Sequence, residues 1–284
     1  MSRIYDALRR LEAERRRAAN GGAGNGRENG GGNGAGWREN GRWRWQAILE
    51  RLSASSSRGN RKVAPGPVNF DLGPEAEEAY HRLGTSLLLG PASEAERVPK
   101  LLGLVAARHG EGTTTTAAVF GSILVRRRGG RVAVVETNFR SPAFDTAFGI
   151  APNGGFAELV RGGQGVESAA QPTVVPNLFA IGCGEADRPI PALFDAPGLP
   201  NVLDHLRGQF DFVIFDLPPV TLYGDALIFG PRLDATIVVI EADATRIPDV
   251  ERARRMLERA GVRVVGSVLN RRRNYIPAFL EEML

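Results

Sequence analysis

Between residues 101 and 125 the chain passes from an unbroken apolar run, Leu101 to Ala106, through Arg108-His109-Gly110-Glu111-Gly112-Thr113-Thr114-Thr115, into a helical pattern over Thr116 to Val125. A buried strand, a glycine turn and a helix in that order restrict the fold to a parallel α/β unit with an anion site at the turn. The glycines let backbone N–H groups curl around oxyanions, and the helix start adds the positive end of its dipole. A phosphate loop of this kind carries a lysine directly after its second glycine, where it reaches the β- and γ-phosphates. Here that position is Thr113. Threonine has neither the reach nor the charge. The chain contains only two lysines, Lys62 and Lys100, and is otherwise arginine-based. A bias of that kind exchanges lysine for arginine and does not account for threonine. The pattern therefore predicts a nucleotide-binding fold whose chemistry has been lost.

The rest of the globular region agrees with that frame. From about Val68 onward, a helical stretch over Glu75 to Leu89 is followed by apolar runs at Leu101–Ala106, Val132–Glu136, Leu178–Ile181, Phe212–Asp216, Ala235–Ile240 and Val262–Leu269, alternating with helical patterns. Strands alternating with helices imply right-handed βαβ units and a sheet buried on both faces. The expected fold is a three-layer α/β P-loop NTPase-like domain with a mostly parallel sheet, spanning 68–284.

Residues 1–67 read differently. An amphipathic helix is expected over 1–17, with Ser2 as cap and Ile4, Leu8 and Leu11 at helical spacing. Residues 18–67 read as a flexible basic linker: a Gly/Asn tract over 20–36, then Trp37, Trp43 and Trp45 among arginines, then a second linker from Ser53. The Trp/Arg stretch has two readings, a short interfacial helix or a partner-docking segment. Charge divides at the same boundary. Residues 1–67 hold 14 Lys+Arg against 6 Asp+Glu, a net of +8, whereas residues 68–284 hold 22 against 26, a net of −4. The basic extension is open to anionic lipid, nucleic acid or an acidic protein face, or to service as a solvated tail.

One cysteine, Cys183, excludes an internal disulfide and fits a reducing cytoplasm. With no signal-peptide pattern and no apolar run of membrane-spanning length, a cytoplasmic location is expected. His81, His109 and His205 lack metal-ligand spacing.

Three segments fall at strand ends: the glycine loop, the stretch after Val132–Glu136, and Asp216-Leu217-Pro218-Pro219. Ligands of open α/β sheets bind beyond the carboxyl ends of strands, so these three are expected to converge. A carboxylate ending an apolar strand, Asp216, suits Mg²⁺ held through water, and Thr114 is placed as its hydroxyl ligand.

At these residues the chain resembles the bacterial tyrosine autokinases of capsule and exopolysaccharide synthesis, within the MinD/ParA-like P-loop group. Met1-Ser2-Arg3-Ile4-Tyr5-Asp6-Ala7-Leu8 is similar to family N-termini. The family's G-E-G-K-T/S-T loop corresponds to Gly110, Glu111, Gly112, Thr113, Thr114 and Thr115, its L-I-D-A-D-L-R-x-P motif to Val134 through Pro142, and its Y-D-x-V-I-x-D-x-P-P motif to Phe210 through Pro219. Gly154 through Leu159 echo a family segment before a short helix, and Gly266 through Asn270 echo the family's G-V-V-L-N strand.

The resemblance implies ATP and Mg²⁺ as cofactors. It implies the six loop residues and Asn270 at the nucleotide, Glu136 and Asp216 as catalytic carboxylates, and Thr114 and Asp216 at the metal. It further implies a partner at the cytoplasmic face of a membrane polysaccharide co-polymerase and a place at the inner face of the cell membrane. Anionic membrane suits the extension better than nucleic acid in this light, and self-association stays open.

The departures fall on the family's working parts. Besides Thr113, the first aspartate of the second motif is Glu136 and the second is Asn138. The family's E-x-x-R-x-x-R helix appears as Glu78, His81 and Gly84, and Tyr275 is the only tyrosine after Tyr223. Phosphoryl transfer depends almost wholly on positioning and charge neutralisation, and loss of one preorganised contact to developing charge costs about 3–4 kcal/mol. The expected function is a catalytically impaired, tyrosine-autokinase-like protein that regulates or scaffolds exopolysaccharide or capsule assembly. An active ATP-dependent tyrosine kinase and a partitioning-type ATPase that binds membrane or DNA are the alternatives.

Overall fold

The computed structural model describes residues 74–88, 98–187 and 189–272. The helix expected over 1–17, the linker 18–67 and Tyr275 lie outside the described residues.

Seven strands form one sheet: β1 (Leu101–Ala106), β2 (Val132–Glu136), β3 (Gln171–Pro172), β4 (Leu178–Ile181), β5 (Phe212–Asp216), β6 (Ala235–Glu241) and β7 (Val264–Asn270). Their order is β3-β4-β2-β5-β1-β6-β7. Every pairing is parallel except β3 with β4. Six of the seven were legible as apolar runs. The two-residue β3 was not, because it is too short to leave a period.

β1, β2 and β5 are buried at every position. That explains why they read as continuous apolar runs rather than alternating ones: helices cover both faces of a parallel sheet. The helix Thr113–Arg128 packs on the sheet at Gly121, where a Cβ would lie 3.0 Å from both Val134 and Leu178 side chains. Only a residue without a side chain permits that approach. Gly129 ends this helix in the left-handed conformation (φ 66°), its N–H returning to the Val125 carbonyl. The helix Pro74–Leu88 lies against it, with Tyr80 and Leu83 buried and with Arg127 Nη1 donating to Thr85 Oγ1 at 2.6 Å.

On the other side, a cluster of phenylalanines fixes two short helices, Ile190–Phe194 and Asp225–Phe229, beneath β5. Phe194 stacks on Phe229 with ring centroids 4.9 Å apart, and Phe215 and Phe156 meet Phe229 edge-on at 5.1 and 5.7 Å. Each large aromatic pair contributes about 0.5–1.5 kcal/mol beyond its buried area. The segments after β2 and β5 thus hang from a rigid core, and the carboxyl ends of β1, β2, β5, β6 and β7 face one rim. Among the described residues no helix is long and apolar enough to cross a membrane.

Candidate nucleotide site

The glycine loop forms as expected. Gly110 and Gly112 both sit at φ 89°, a region open to glycine and costly for other residues. The helix begins at Thr113, three residues earlier than the apolar pattern suggests. Threonine is a poor helix former by itself. Here the Gly112 carbonyl accepts the Thr116 N–H at 2.9 Å and starts the helix regardless.

The loop is braced from three directions. The Glu111 carboxylate is buried, and its Oε2 accepts the Arg108 N–H at 2.9 Å while Oε1 accepts the Thr245 hydroxyl. Asn270, at the end of β7, donates from Nδ2 to the Glu111 carbonyl at 2.9 Å and accepts the Arg271 N–H on Oδ1 at 2.9 Å. The amide that the resemblance places at the nucleotide thus gives one N–H and one acceptor site to the protein's own backbone. Arg271 completes the brace, its Nη1 donating to the Gly110 carbonyl at 2.9 Å and to Glu241 Oε1 at 3.0 Å. A Cβ at Gly112 would lie 2.2 Å from Asn270 Nδ2. Gly112→Ala is accordingly expected to cost about 2 kcal/mol through left-handed strain and loss of the Asn270 contact. Urea unfolding checks this, and an unchanged midpoint would contradict it.

Thr113 is half-buried and Thr115 exposed. Thr114 turns to β5, and its Oγ1 donates to Asp216 Oδ2 at 2.5 Å. Asp216 is 1% exposed, and its Oδ1 has no hydrogen-bond partner among the described residues. Burial first of all, with the neighbouring Glu136 charge adding to it, raises the Asp216 carboxyl to about 7, against the opposing Thr114 bond. A buried, unsatisfied carboxylate oxygen beside a threonine hydroxyl fits Mg²⁺, whose charge would satisfy it. No group of three or more His, Cys, Asp and Glu that could hold a metal occurs among the described residues. A cation at Thr114 and Asp216 would therefore complete its shell with water and phosphate oxygens, as Mg²⁺ commonly does. Asn138 Oδ1 is also buried without a partner.

Glu136 is paired in register with Asp216 across β2 and β5, but its carboxylate is otherwise engaged. Oε1 accepts the N–H groups of Ala143 (2.5 Å) and Phe144 (3.1 Å), and Oε2 accepts that of Cys183 (3.3 Å). It thus holds the turn before the helix Phe144–Phe148, where the unpaired N–H groups of a helix start favour an anion. Burial raises its proton affinity above that of an ordinary carboxylate, and the three amide bonds oppose this only in part. Sequence reasoning placed Glu136 as a catalytic carboxylate. In the structure its carboxylate ties β2 to this turn and to Cys183. Burial and the adjacent Glu136 also push the Cys183 thiol up to about 12, far above an ordinary thiol at about 8.5. Alkylation of Cys183 by iodoacetamide at pH 8 is expected to run at least tenfold slower than that of free cysteine. Equal rates would contradict this environment.

Two arginines in the loop and after β2, Arg108 and Arg140, are committed elsewhere than position 113. Arg140 places Nε and Nη2 on the two carboxylate oxygens of Asp225, at 3.0 and 3.4 Å, and lies over the Tyr223 ring. Asp225 has a side chain only 3% exposed, so Arg140→Ala would strand a buried carboxylate. An expected loss of about 2 kcal/mol follows, readable in a thermal melt, with an unchanged Tm as the contrary result. Arg108 lies 3.7 Å from Asp249 at the surface. Arg271, first of three consecutive arginines, is the arginine that reaches the loop. The available signal was its position, directly after the asparagine that ends β7.

With the site described, its relatives can be placed. No family model matches the chain. Tyrosine-protein kinase CpsD of Streptococcus pneumoniae is 26% identical over 198 residues, which cover 69% of this chain and 85% of that protein. Tyrosine-protein kinase ptk of Acinetobacter johnsonii is 29% identical over 140 residues, 49% of this chain but only 19% of that protein. The kinase domain of Escherichia coli tyrosine kinase ETK superposes with a TM-score of 0.65 at 22% identity, over 72% of this chain and 78% of that domain. Other structural neighbours include a MinD ATPase. The chain is an α/β P-loop protein homologous to bacterial tyrosine-protein kinases.

Proposed function

We propose that this chain is a catalytically impaired, tyrosine-autokinase-like protein that holds ATP with Mg²⁺ weakly and regulates or scaffolds exopolysaccharide or capsule assembly. The observation that carries the reading is a split site. The Thr114–Asp216 pair suited to the metal is kept, whereas the residue heading the helix, Thr113, brings no charge to the phosphates. Binding through backbone N–H donors survives such a change, whereas the transition state loses the contact that a lysine heading the helix would make. In this reading the partner is the cytoplasmic face of a membrane polysaccharide co-polymerase, a role supported by the resemblance of the motifs. The net +8 of residues 1–67 would strengthen recruitment to the anionic inner leaflet.

Calorimetry of ATP with Mg²⁺ on the full chain tests the binding half. The expected result is weak binding that Asp216→Ala removes. ATP binding that is indifferent to both Mg²⁺ and Asp216→Ala would contradict it. An active tyrosine kinase is the second reading, favoured by the same retained Thr114–Asp216 pair and by homology to proteins named as kinases.

A further inference from the structure

We propose that Arg271 supplies the cation that the phosphate loop lacks at position 113, so that its guanidinium meets the charge of the β- and γ-phosphates of a nucleoside triphosphate. The inference rests on the reading that the glycine loop holds such a ligand. It adds a residue that lies outside the loop in sequence and next to it in space.

Four observations converge on Arg271. Its Nη1 sits 2.9 Å from the Gly110 carbonyl, so the guanidinium is already docked on the loop. Nη1 also serves Glu241 at 3.0 Å, while Nε and Nη2 make no hydrogen bond among the described residues. An arginine carries its five donors in a planar fork matched to phosphate oxygens, and three of the five have no partner among the described residues. The side chain is 53% exposed, so a ligand reaches it without displacing packed groups. Finally, Arg271 stands at φ 56°, a left-handed conformation that glycine or asparagine would adopt with less strain. This bend directly follows β7, whose last residue, Asn270, bonds the neighbouring loop carbonyl.

The other described arginines near the loop do not compete. Arg140 is tied through two nitrogens to the buried Asp225, and Arg108 leans towards Asp249. Glu241 keeps Arg271 partly neutralised until an anion arrives.

The test is a double-mutant cycle read by calorimetry of ATP with Mg²⁺ on the full chain. It compares the natural protein, Arg271→Ala, Arg271→Lys, Thr113→Lys, and Thr113→Lys with Arg271→Ala combined. Thermal melts of each establish that the fold is kept. Arg271→Ala is expected to weaken ATP binding by roughly 10–100-fold, the scale of a charge-assisted hydrogen bond. Arg271→Lys should keep affinity within about fivefold of the natural chain, since charge at the loop is retained. The gain from Thr113→Lys should be at least about tenfold larger when Arg271 is absent, because both residues then serve one purpose. Unchanged ATP affinity in Arg271→Ala overturns the proposal. So does an equal gain from Thr113→Lys in both backgrounds, which would mark Arg271 as a structural brace. If the natural chain binds no ATP and Thr113→Lys alone does, the proposal falls and the nucleotide site stands. If neither binds, the nucleotide reading falls with it.

Discussion

At pH 8 and without divalent metal, Asp216→Asn is expected to be more stable than the natural protein by about 2–3 kcal/mol. The neutral acid is the form the fold prefers at Asp216, since burial raises its carboxyl from 3.8 to about 7. A group raised in the folded state contributes stability that is full below its unfolded value, here 3.8, and is lost as pH climbs through about 7. At about 1.4 kcal/mol per pH unit, the natural protein loses about 4 kcal/mol across that window. Asparagine removes the loss but leaves an amide N–H unpaired at the Oδ1 position, which returns about 1–2 kcal/mol of it. For a domain of this size the net gain corresponds to roughly 5–10 °C in Tm at pH 8. The two proteins should converge or reverse near pH 4. Calorimetric or circular-dichroism melts from pH 4 to 8 decide this. A natural protein whose Tm is flat across the range, or an Asp216→Asn protein less stable at pH 8, would show that the charged carboxylate is satisfied in the fold. Adding Mg²⁺ with ATP should then stabilise the natural chain and not Asp216→Asn, because a bound cation favours the ionised carboxylate.

The architecture was legible because burial writes itself into composition. Leu101–Ala106, Val132–Glu136 and Phe212–Asp216 are apolar at nearly every position since helices cover both faces of the sheet. The Thr114–Asp216 contact was legible for a related reason: parallel strands deliver their carboxyl ends to one rim, so residues 102 positions apart are brought together by topology. The use made of the remaining polar groups was not legible. Glu136 presents a carboxylate at the expected place, yet three backbone N–H groups take it up, and nothing in its spacing announces them. Asn270 is occupied by the Glu111 carbonyl and the Arg271 N–H for the same reason. Arg271 was not legible because nothing in a run of three arginines tells which one turns inward. Only its backbone bend, invisible in sequence, aims it at Gly110.

Thr113→Lys is expected to tighten ATP binding by about 1–3 kcal/mol, as for a hydrogen bond to a charged group, and still not to yield a kinase. On the impaired-kinase reading, Asn138 still brings no charge and Glu136 still holds the Ala143, Phe144 and Cys183 amides. Glu136→Asp shortens the side chain by a methylene and withdraws it from the Ala143 and Phe144 amides, so it lowers stability while it restores the family's residue. Activity should require Thr113→Lys, Glu136→Asp and Asn138→Asp together. Transition-state charge left unmet at a single contact lowers the rate roughly 10²–10³-fold, and the impaired-kinase reading counts more than one such contact. The direct measurement is phosphate incorporation from radiolabelled ATP with Mg²⁺ into the full-length natural protein, beside Asp216→Ala. The expected result is no phosphotyrosine in the natural protein above the Asp216→Ala level. Robust phosphotyrosine that disappears in Asp216→Ala would contradict the impaired-kinase reading and establish an active kinase in its place.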